Sequence, residues 1–390
     1  MSSKRVHVLV VFGTRPEAIK LAPVIRELLR RKDQFQAKVC VTAQHRHLLD
    51  PILRWFRIPV HYDLNVMRPN QELCGLSARI LARFHTVLAS DRPDMVLVQG
   101  DTTTTLMASL AAFYHCVPVG HVEAGLRTLD RYAPFPEEIN RRLTSHLADV
   151  HFAPTDWARS NLLKEGIPRS RIFVTGNTVI DAFLETHARV VRHPPTVPQL
   201  DGLRLASRKL IVVTTHRREN FGLGLASICE ALIRLASQRE DIEIVLPVHP
   251  NPNVRGVVRP LLGRIKRIHL IDPVGYPQFV WLLSSAYLAL TDSGGIQEEM
   301  PSLRRPVLVM REKTERPEGL RAGVCKLVGT SAETIVRTVV QLLDDKQAYA
   351  RFGRRRNPFG EGKAAQKIVA TMAGGLKRLT AGAGFVPVSL

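Results

Sequence analysis

The stretch "RVHVLVVFGTRPEAIKLAPVIRELLRR", Arg5–Arg31, decides the fold. A continuous apolar run is followed by a glycine and then by apolar residues at helical spacing, which predicts a buried strand that leads into an amphipathic helix. The spacing of Thr14 and Glu17 indicates a capping box, and Pro16 suits a first helical turn. No small-residue cleavage site follows the apolar run, so we interpret it as a core strand and not as a secretion signal.

The strand–turn–helix pattern recurs on both sides of a proline-rich connector, "HARVVRHPPTVPQLDGLRLASR" (187–208). Short apolar runs that alternate with amphipathic helices are typical of parallel strands covered on both faces. We therefore predict an α/β fold with two Rossmann-like, doubly wound parallel-sheet domains facing a cleft. The N-terminal domain would comprise residues 1–180 plus a returning C-terminal segment, 361–390, and the C-terminal domain would comprise residues 181–360.

Composition narrows the class of protein. The 390 residues are 45% apolar and 23% charged, which is typical of a globular chain, and no run approaches the ~20 apolar residues of a membrane span, so we predict no membrane insertion. Five scattered cysteines without a C-x-x-C pair favour a reducing cytoplasm. The net charge of +20 is spread over short runs with few aromatics, which favours a solvated basic surface over a specific nucleic-acid interface.

Acidic side chains follow two of the predicted strands. Asp101 comes after "DMVLVQG", and Glu123 comes after "VPVGHV". Because ligands of such sheets bind at the carboxyl ends of the strands, both are candidate active-site acids. Structural roles remain open as well, since Asp101 could cap the helix that follows it and Glu123 could form an ion pair with Arg127 or Arg131.

Further charged residues lie near predicted helix starts. Arg15 and Lys20 lie near the N-terminus of the helix that follows the first strand, where the helix dipole attracts anions. Glu137 and Arg141 are spaced i, i+4, so they share one face of a helix. That pair is either part of an active site or an ordinary pair on a helix surface.

The second half carries a candidate phosphate site. His216 follows "KLIVVTT", and "TDSGGIQEE" places Ser293 in a turn before a helix expected to begin at about Ile296. Backbone N–H groups and the Ser293 hydroxyl in such a turn favour a phosphate. The chain has neither G-x-G-x-x-G nor a P-loop motif, and His45 and His47 would point apart on a helix, so we predict no dinucleotide cofactor and no metal.

These motifs together resemble the non-hydrolysing UDP-N-acetylglucosamine 2-epimerases of bacteria. The resemblance spans nearly the whole chain and rests on "VFGTRPEAIKLAPVI", "VCVTAQHR", "GDTTTTLMASLAAFY", "PVGHVEAGLRT", "PFPEEINRRLTSHLAD", "TGNTVIDA", "THRREN", "PVHPNPNVR", "LTDSGGIQEE" and "TERPEG". It implies a GT-B-like architecture with UDP in the cleft, and interconversion of UDP-GlcNAc and UDP-ManNAc without a metal or nicotinamide. It also implies a homodimer whose products enter surface polysaccharides.

The resemblance also implies roles for individual residues. The catalytic set would be Asp101, Glu123, Glu137, Arg141 and His216. The substrate-binding set would be Arg15, Lys20, Phe279, Ser293, Gly294, Gly295, Glu299 and Arg316. Some members of the family bind a second UDP-GlcNAc as an allosteric activator, for which the matching residues are Gln44, His45 and Arg68. The chain departs from the family pattern at "DPVGY", where Val274 occupies a position that usually holds glutamine.

The chemistry explains why such a site would need carboxylates among cations. The hydrogen on C2 of the sugar is not acidic, and oxidation of a neighbouring carbon would need a nicotinamide. The family resemblance instead implies elimination of UDP to a glycal and its re-addition, with acids handling the C2 proton and cations stabilising the diphosphate. The alternatives are a hydrolysing relative, a glycosyltransferase of the same fold and a basic nucleic-acid-binding protein.

Overall fold

The chain divides into two compact units, each with its own parallel sheet. The computed structural model describes residues 5–43, 46–68, 71–201 and 208–379, with the backbone alone for 375–379. One unit runs to Ala182 and resumes at Gly360, and the other comprises Phe183–Phe359. We refer to them as the N-terminal and C-terminal units.

The N-terminal unit contains a seven-stranded sheet in the order β3-β2-β1-β4-β5-β6-β7, in which neighbouring strands run parallel. Its strands are β1 (Val6–Phe12), β2 (Phe35–Val41), β3 (Tyr62–Asp63), β4 (Met95–Gln99), β5 (Val119–Val122), β6 (Val150–Ala153) and β7 (Ile172–Val174). Its helices are α1 (Arg15–Arg30), α2 (Arg46–Phe56), α3 (Leu73–Asp91), α4 (Thr103–Tyr114), α5 (Glu137–Leu147) and α6 (Asp156–Lys164).

The C-terminal unit contains a six-stranded parallel sheet in the order β10-β9-β8-β11-β12-β13. Its strands are β8 (Lys209–Thr214), β9 (Ile242–Pro247), β10 (Ile268–Ile271), β11 (Ala286–Thr291), β12 (Val307–Val309) and β13 (Cys325–Leu327). Its helices are α8 (Leu223–Gln238), α9 (Pro252–Leu262), α10 (Tyr276–Ser285), α11 (Gly294–Glu299), α12 (Pro317–Arg321), α13 (Ala332–Asp344) and α14 (Lys346–Gly353).

Two further helices relate to the division of the chain. Helix α7 (Thr178–Arg192) continues through the point at which one unit gives way to the other, and α15 (Ala364–Leu379) packs against α1 of the N-terminal unit. The prediction of an irregular connector from residue 187 is therefore wrong for its first six residues. Their apolar positions continue the helix until Pro194, which cannot extend a helical hydrogen-bond pattern.

The opening stretch folds as predicted. The central residues of β1 are fully buried, and the strand is paired along both edges, with Val8 opposite Ala37 of β2 and Met95 of β4. The capping box is confirmed, since the Thr14 backbone N–H donates to the Glu17 carboxylate at 2.8 Å. None of the helices in the described part of the chain is long and apolar enough to cross a membrane.

Each sheet reverses its strand order at one position, and these two positions determine where ligands can enter. In the N-terminal unit, β1 is flanked by β2 and β4, and in the C-terminal unit β8 is flanked by β9 and β11. The loops that follow β1 and β4, or β8 and β11, leave in opposite directions and open a crevice at the carboxyl edge. The residues that follow these four strands are therefore candidates for ligand binding.

One glycine after β5 is required by a close approach between two backbones. Gly125 has a φ of +92°, and a Cβ at this position would lie 2.3 Å from the carbonyl oxygen of Ala158 in α6. The Gly125 carbonyl also accepts a hydrogen bond from the Asn161 side chain at 3.0 Å. The loop that carries Glu123 is thereby packed directly on α6.

Substitution of this glycine tests the contact. We expect Gly125→Ala to destabilise the N-terminal unit by about 3 kcal/mol, because a left-handed φ and a backbone clash act together. Gly166→Ala is the matched control, since Gly166 has a similar φ of +82° and no atom within 4 Å of the added carbon. Its cost should be about 1 kcal/mol. Urea unfolding followed by circular dichroism measures both, and equal losses would contradict the packing argument.

Candidate active site

The loops after β1 and β4 are joined by one buried carboxylate. Glu17, at the start of α1, accepts hydrogen bonds from the backbone N–H groups of Gly13 and Thr14 at 3.1 and 2.8 Å. Its other oxygen accepts from the hydroxyls of Thr102 and Thr105 at 2.7 and 3.1 Å. Burial raises the pKa of Glu17, and the hydrogen bonds from Thr14 and Thr102 oppose that rise. Glu17 therefore ties the threonine-rich turn after β4 to the loop after β1.

Asp101 is not the cap of α4. Thr102 has that role, because its hydroxyl accepts from the Thr105 backbone N–H at 3.2 Å. The capping alternative is therefore wrong, and the Asp101 carboxylate instead lies 2.5 Å from Nη2 of Arg141. The Asn140 side chain donates to the Asp101 carbonyl at 3.0 Å, so α5 holds this acid at two points.

Glu123 is buried directly after β5, and its backbone has a conformation that is unfavourable for a glutamate. Its φ is +63°, which is uncommon for a residue other than glycine. Its carboxylate lies 2.5 Å from Nζ of Lys20 and accepts from the Gln99 amide at 2.9 Å. The alternative of a structural ion pair with Arg127 or Arg131 is wrong, since Arg127 is held by Glu165 at 2.6 Å and Arg131 is exposed.

Glu137 is the first residue of α5 and has the most unusual environment of the three acids. One of its carboxylate oxygens is buried without a hydrogen-bond partner among the described residues. Burial raises the pKa of Glu137, and the negative charge of Asp101 raises it further, while Arg141 lowers it. Arg141 is bound to Asp101 and lies 3.5 Å from Glu138, so the alternative of an ordinary surface pair with Glu137 is wrong.

A buried histidine supports the loop that carries Asp101. Nε2 of His121 lies 2.7 Å from the carbonyl oxygen of Gly100, whose φ is +75°. Burial lowers the pKa of His121 to about 4, so the ring is neutral near pH 7 and donates to that carbonyl. His121 was not among the residues predicted from the sequence, although a histidine inside an apolar strand two residues before Glu123 was a usable signal.

In the C-terminal unit, the loops after β8 and β11 meet at Asp292. This side chain is fully buried, and its Oδ2 atom accepts from the backbone N–H groups of His216 and Arg217, both at 2.9 Å. Its Oδ1 atom lies 3.1 Å from Nδ1 of His216. Burial alone would raise the pKa of Asp292, but His216 and the backbone donors hold it below its ordinary value.

Cationic side chains surround the turn that follows Asp292. A Cβ on Gly294 would lie 3.7 Å from Nη2 of Arg316 and 3.8 Å from Nη2 of Arg217, so two guanidinium groups converge on this glycine. Arg316 is held by Glu298, and Arg217 lies 3.7 Å from Glu315. Helix α11 begins at Gly294, two residues before the predicted start.

Gln297 connects this turn to the loop of Arg316. Its amide donates to the Ser293 carbonyl at 3.2 Å, and its carbonyl oxygen accepts from the Thr314 hydroxyl at 2.6 Å. The Thr314 hydroxyl in turn accepts from the Arg316 backbone N–H at 3.1 Å. Gln297, Glu298 and Asp292 are supporting residues that the sequence analysis left unassigned, because their roles depend on contacts between loops that are distant in sequence.

The remaining predicted residues are placed as follows. Arg15 is the first residue of α1, and Phe279 is half-buried in α10, the helix that begins two residues after Val274. In α11, Gly295 is exposed and Glu299 is buried at the end of the helix. Of the proposed activator residues, Gln44 and His45 lie outside the described residues, and Arg68 is exposed. Within residues 5–43, 46–68, 71–201 and 208–379, no group of three or more potential ligands could hold a metal ion.

Two doubly wound parallel-sheet units, each with polar residues at the point where its strand order reverses, define the chain as a GT-B-like α/β protein. The family model "UDP-N-acetylglucosamine 2-epimerase" matches residues 27–373. The Escherichia coli K12 protein of that name is 54% identical over 370 residues, which cover 93% of this chain and 97% of the relative. The chain belongs to the UDP-N-acetylglucosamine 2-epimerase family.

Solved structures agree with this assignment. The chain is similar to UDP-GlcNAc 2-epimerase from Neisseria meningitidis bound to UDP-GlcNAc, with 47% identity, a TM-score of 0.87, and coverage of 95% of this chain and 100% of that one. It is also similar to the Methanocaldococcus jannaschii enzyme in complex with UDP-GlcNAc and UDP, with 34% identity, a TM-score of 0.76 and coverage of 95% and 100%. The predicted family and fold class are therefore confirmed.

The buried pair of Lys20 and Glu123 can be tested by stability. We expect Lys20→Met to destabilise the N-terminal unit by about 3 kcal/mol, because the Glu123 carboxylate, 5% exposed, would lose its cation. Arg30→Met is the matched control, since Arg30 pairs with Glu27 in the same helix while 65% exposed, and no measurable change is expected. Adding Glu123→Gln to Lys20→Met should recover part of the loss in urea unfolding. No recovery would contradict the pairing.

Proposed function

We propose that this protein interconverts UDP-GlcNAc and UDP-ManNAc by inverting C2 of the sugar. The family membership and the relatives named as UDP-GlcNAc 2-epimerases support this function. The observation that carries the proposal is the set of three acids in the N-terminal unit, Asp101, Glu123 and Glu137, each in a different electrostatic environment. Such a set suits a reaction in which a proton is removed from one face of a sugar and returned to the other.

The reaction proceeds by elimination and re-addition in this proposal. The C1–O bond breaks, the bonding electron pair leaves with UDP, C2 loses its proton to a carboxylate, and a glycal forms. UDP then adds back at C1 while C2 receives a proton on the opposite face. Atoms and charges balance without an external oxidant or reductant, so no cofactor is required.

The environments of the three acids suggest a division of labour. Glu137 has a raised pKa and a buried oxygen without a partner, which suits a group that exchanges a proton during the reaction. The negative charge of Asp101 acts on Glu137, and the Asp101 carboxylate is held by Arg141. We therefore assign Asp101 as the second proton-handling acid. Glu123 is fixed by Lys20 and Gln99, which suits electrostatic stabilisation of a positive sugar rather than proton transfer.

The cations of the C-terminal unit suit the leaving diphosphate. His216, Arg316 and the turn of Ser293 and Gly294 supply donors and positive charge, and Arg217 adds a second guanidinium. Preorganised donors of this kind stabilise charge that grows in the transition state. We also assign Arg15 and Lys20 of the N-terminal unit to substrate binding.

Other assignments complete the proposal. Gly295 would contribute to the phosphate turn, Glu299 would bind the ribose and Phe279 would lie near the uracil. All cysteines in the chain are free thiols, which suits the cytoplasm. We further propose a homodimer, delivery of UDP-ManNAc to surface polysaccharide synthesis, and activation by a second UDP-GlcNAc through Gln44, His45 and Arg68.

Proton NMR in heavy water tests the function directly. Purified protein with UDP-GlcNAc, without added metal or nicotinamide, should yield UDP-ManNAc that carries deuterium at C2. Asp101→Asn and Glu137→Gln should each reduce turnover by roughly 100-fold or more, because each removes a proton-transfer group. Full turnover in both variants would contradict the assignment of the acids.

Other products would identify the alternatives. Free ManNAc together with UDP would indicate the hydrolysing reaction. No reaction, combined with tight and salt-sensitive binding to DNA that persists in Asp101→Asn, would favour a nucleic-acid-binding protein. Asp156→Asn serves as the control variant for turnover, since Asp156 is 77% exposed on α6 and pairs only locally with Arg159 in the described contacts.

The raised pKa of Glu137 gives a separate prediction. Protonated Glu137 should persist at a pH above its ordinary midpoint of 4.5, because burial and Asp101 both disfavour the charged form. Asp101→Asn should lower the midpoint, since the raising charge is removed and Arg141 is no longer neutralised. Carbon-13 NMR of labelled glutamate carboxyls measures the titration, with Glu137→Gln used for assignment. An unchanged or higher midpoint in Asp101→Asn would contradict this coupling.

A further inference from the structure

Asp292 is the most deeply buried carboxylate of the C-terminal unit's candidate site, and the proposed reaction assigns it no role. It follows β11, and its side chain has no exposed surface. A carboxylate in such a position is costly unless every oxygen is used. The contacts of its two oxygens therefore indicate why an acid is present.

The two oxygens of Asp292 have different partners. Oδ2 receives four donors: the backbone N–H groups of His216 and Arg217 at 2.9 Å, the Thr215 hydroxyl at 3.2 Å and the Asn220 amide at 3.2 Å. Oδ1 is buried and receives no hydrogen bond of regular geometry from the described residues, and Nδ1 of His216 lies 3.1 Å from it. Oδ2 thus holds the loop after β8, while Oδ1 is directed at the imidazole.

The His216 ring is also bounded on a second side. The ring of His249 stacks against it with centroids 5.6 Å apart and an angle of 27° between the planes. His249 is itself held, since its Nδ1 accepts from the Asn251 backbone N–H at 3.2 Å. A ring held by a stacking neighbour and by a carboxylate at Nδ1 has little freedom to rotate, which leaves Nε2 as its free edge.

We propose that Asp292 is a positioning residue that keeps a proton on Nδ1 of His216 and so directs Nε2 towards the substrate. A carboxylate accepts hydrogen bonds and cannot donate one when ionised, so the facing nitrogen must be the donor. The contact at Nδ1 fixes the orientation of the ring and therefore of Nε2. This inference rests on the proposed function only in its last step, in which the imidazolium form of His216, with a proton on each nitrogen, donates from Nε2 to the leaving diphosphate.

An asparagine in place of Asp292 would reverse which group is the donor in the contact with Nδ1 of His216. The side-chain oxygen of Asn would remain with the four donors that face Oδ2, because turning it away would place N–H groups against N–H groups. The amide nitrogen would then face His216 and donate to it. Nδ1 would have to become an acceptor, and the proton would move to Nε2.

Nitrogen-15 NMR of histidine-labelled protein tests the proposal without substrate. In the unaltered chain, we expect the Nδ1 signal of His216 to be of the protonated type. In Asp292→Asn it should change to the unprotonated type. His216→Gln identifies the signal by its disappearance. Asn220→Ala is the matched control, since it removes a donor from Oδ2 and leaves the Oδ1 contact intact, so Nδ1 should stay protonated.

The outcomes of this measurement are decisive in both directions. An unprotonated Nδ1 in the unaltered chain would overturn the proposal, and so would a protonated Nδ1 that persists in folded Asp292→Asn. If Asp292→Asn does not fold, the spectrum of the unaltered chain, assigned with His216→Gln, still decides the matter.

Kinetics test the last step. We expect Asp292→Asn to lower kcat roughly 10- to 100-fold with a smaller change in KM, because an amide N–H group facing Nδ1 would prevent the cationic form of His216, whose charge stabilises the diphosphate in the transition state. In a His216→Gln background, the same substitution should cost less than about 3-fold. Full additivity of the two losses would overturn the positioning role. An unaltered chain that shows the expected tautomer and no epimerase activity would instead refute the proposed function.

Discussion

A buried carboxylate at each reversal of strand order holds the loops from which both candidate sites are built. In a parallel sheet the backbone groups at the carboxyl ends of the strands are left without partners, and the loops that leave in opposite directions do not satisfy one another. Glu17 meets this need in the N-terminal unit, and Asp292 meets it in the C-terminal unit. Each collects two backbone N–H groups and at least one threonine hydroxyl.

The two carboxylates differ in what they do beyond this. Glu17 receives only neutral donors, and burial raises its pKa, so its contribution is to the geometry of the loops. Asp292 faces the imidazole of His216 as well. Burial raises the pKa of Asp292, but His216 and the backbone N–H groups lower it by more, so the pKa lies below its ordinary value. A buried carboxylate therefore ties loops together in both units, and in the C-terminal unit it also contacts a candidate site residue, His216.

Much of the fold was predictable, because long apolar runs and helical periodicity are local signals. The first strand, the capping box of Thr14 and Glu17 and the parallel sheets all follow from patterns within about 20 residues. The edge strands β3, β7 and β13 have only two or three residues each, which is too short for a periodic pattern to indicate them. The beginning of the connector was misread because prolines further along outweighed an apolar pattern that was still helical.

The sequence offered candidates for the site but not their pairings. Strand ends and family motifs selected Asp101, Glu123 and Glu137, but the cations that hold Asp101 and Glu123 come from other elements. Arg141 lies 40 positions from Asp101, and Lys20 lies 103 positions from Glu123. Sequence proximity had suggested Arg127 for Glu123, and the structure gives that arginine to Glu165. Pairings of this kind depend on strand order, which no local pattern specifies.

The backbone at Glu123 has an implication for how this sequence evolves. A left-handed φ costs a glutamate on the order of 1 kcal/mol that a glycine would not incur, and burial of its carboxylate adds a demand for Lys20 and Gln99. Selection for thermal stability alone would thus favour replacement of Glu123 by glycine. The proposed reaction uses Glu123, so activity and robustness compete at this position, and consensus-style stabilisation of the chain should leave it untouched.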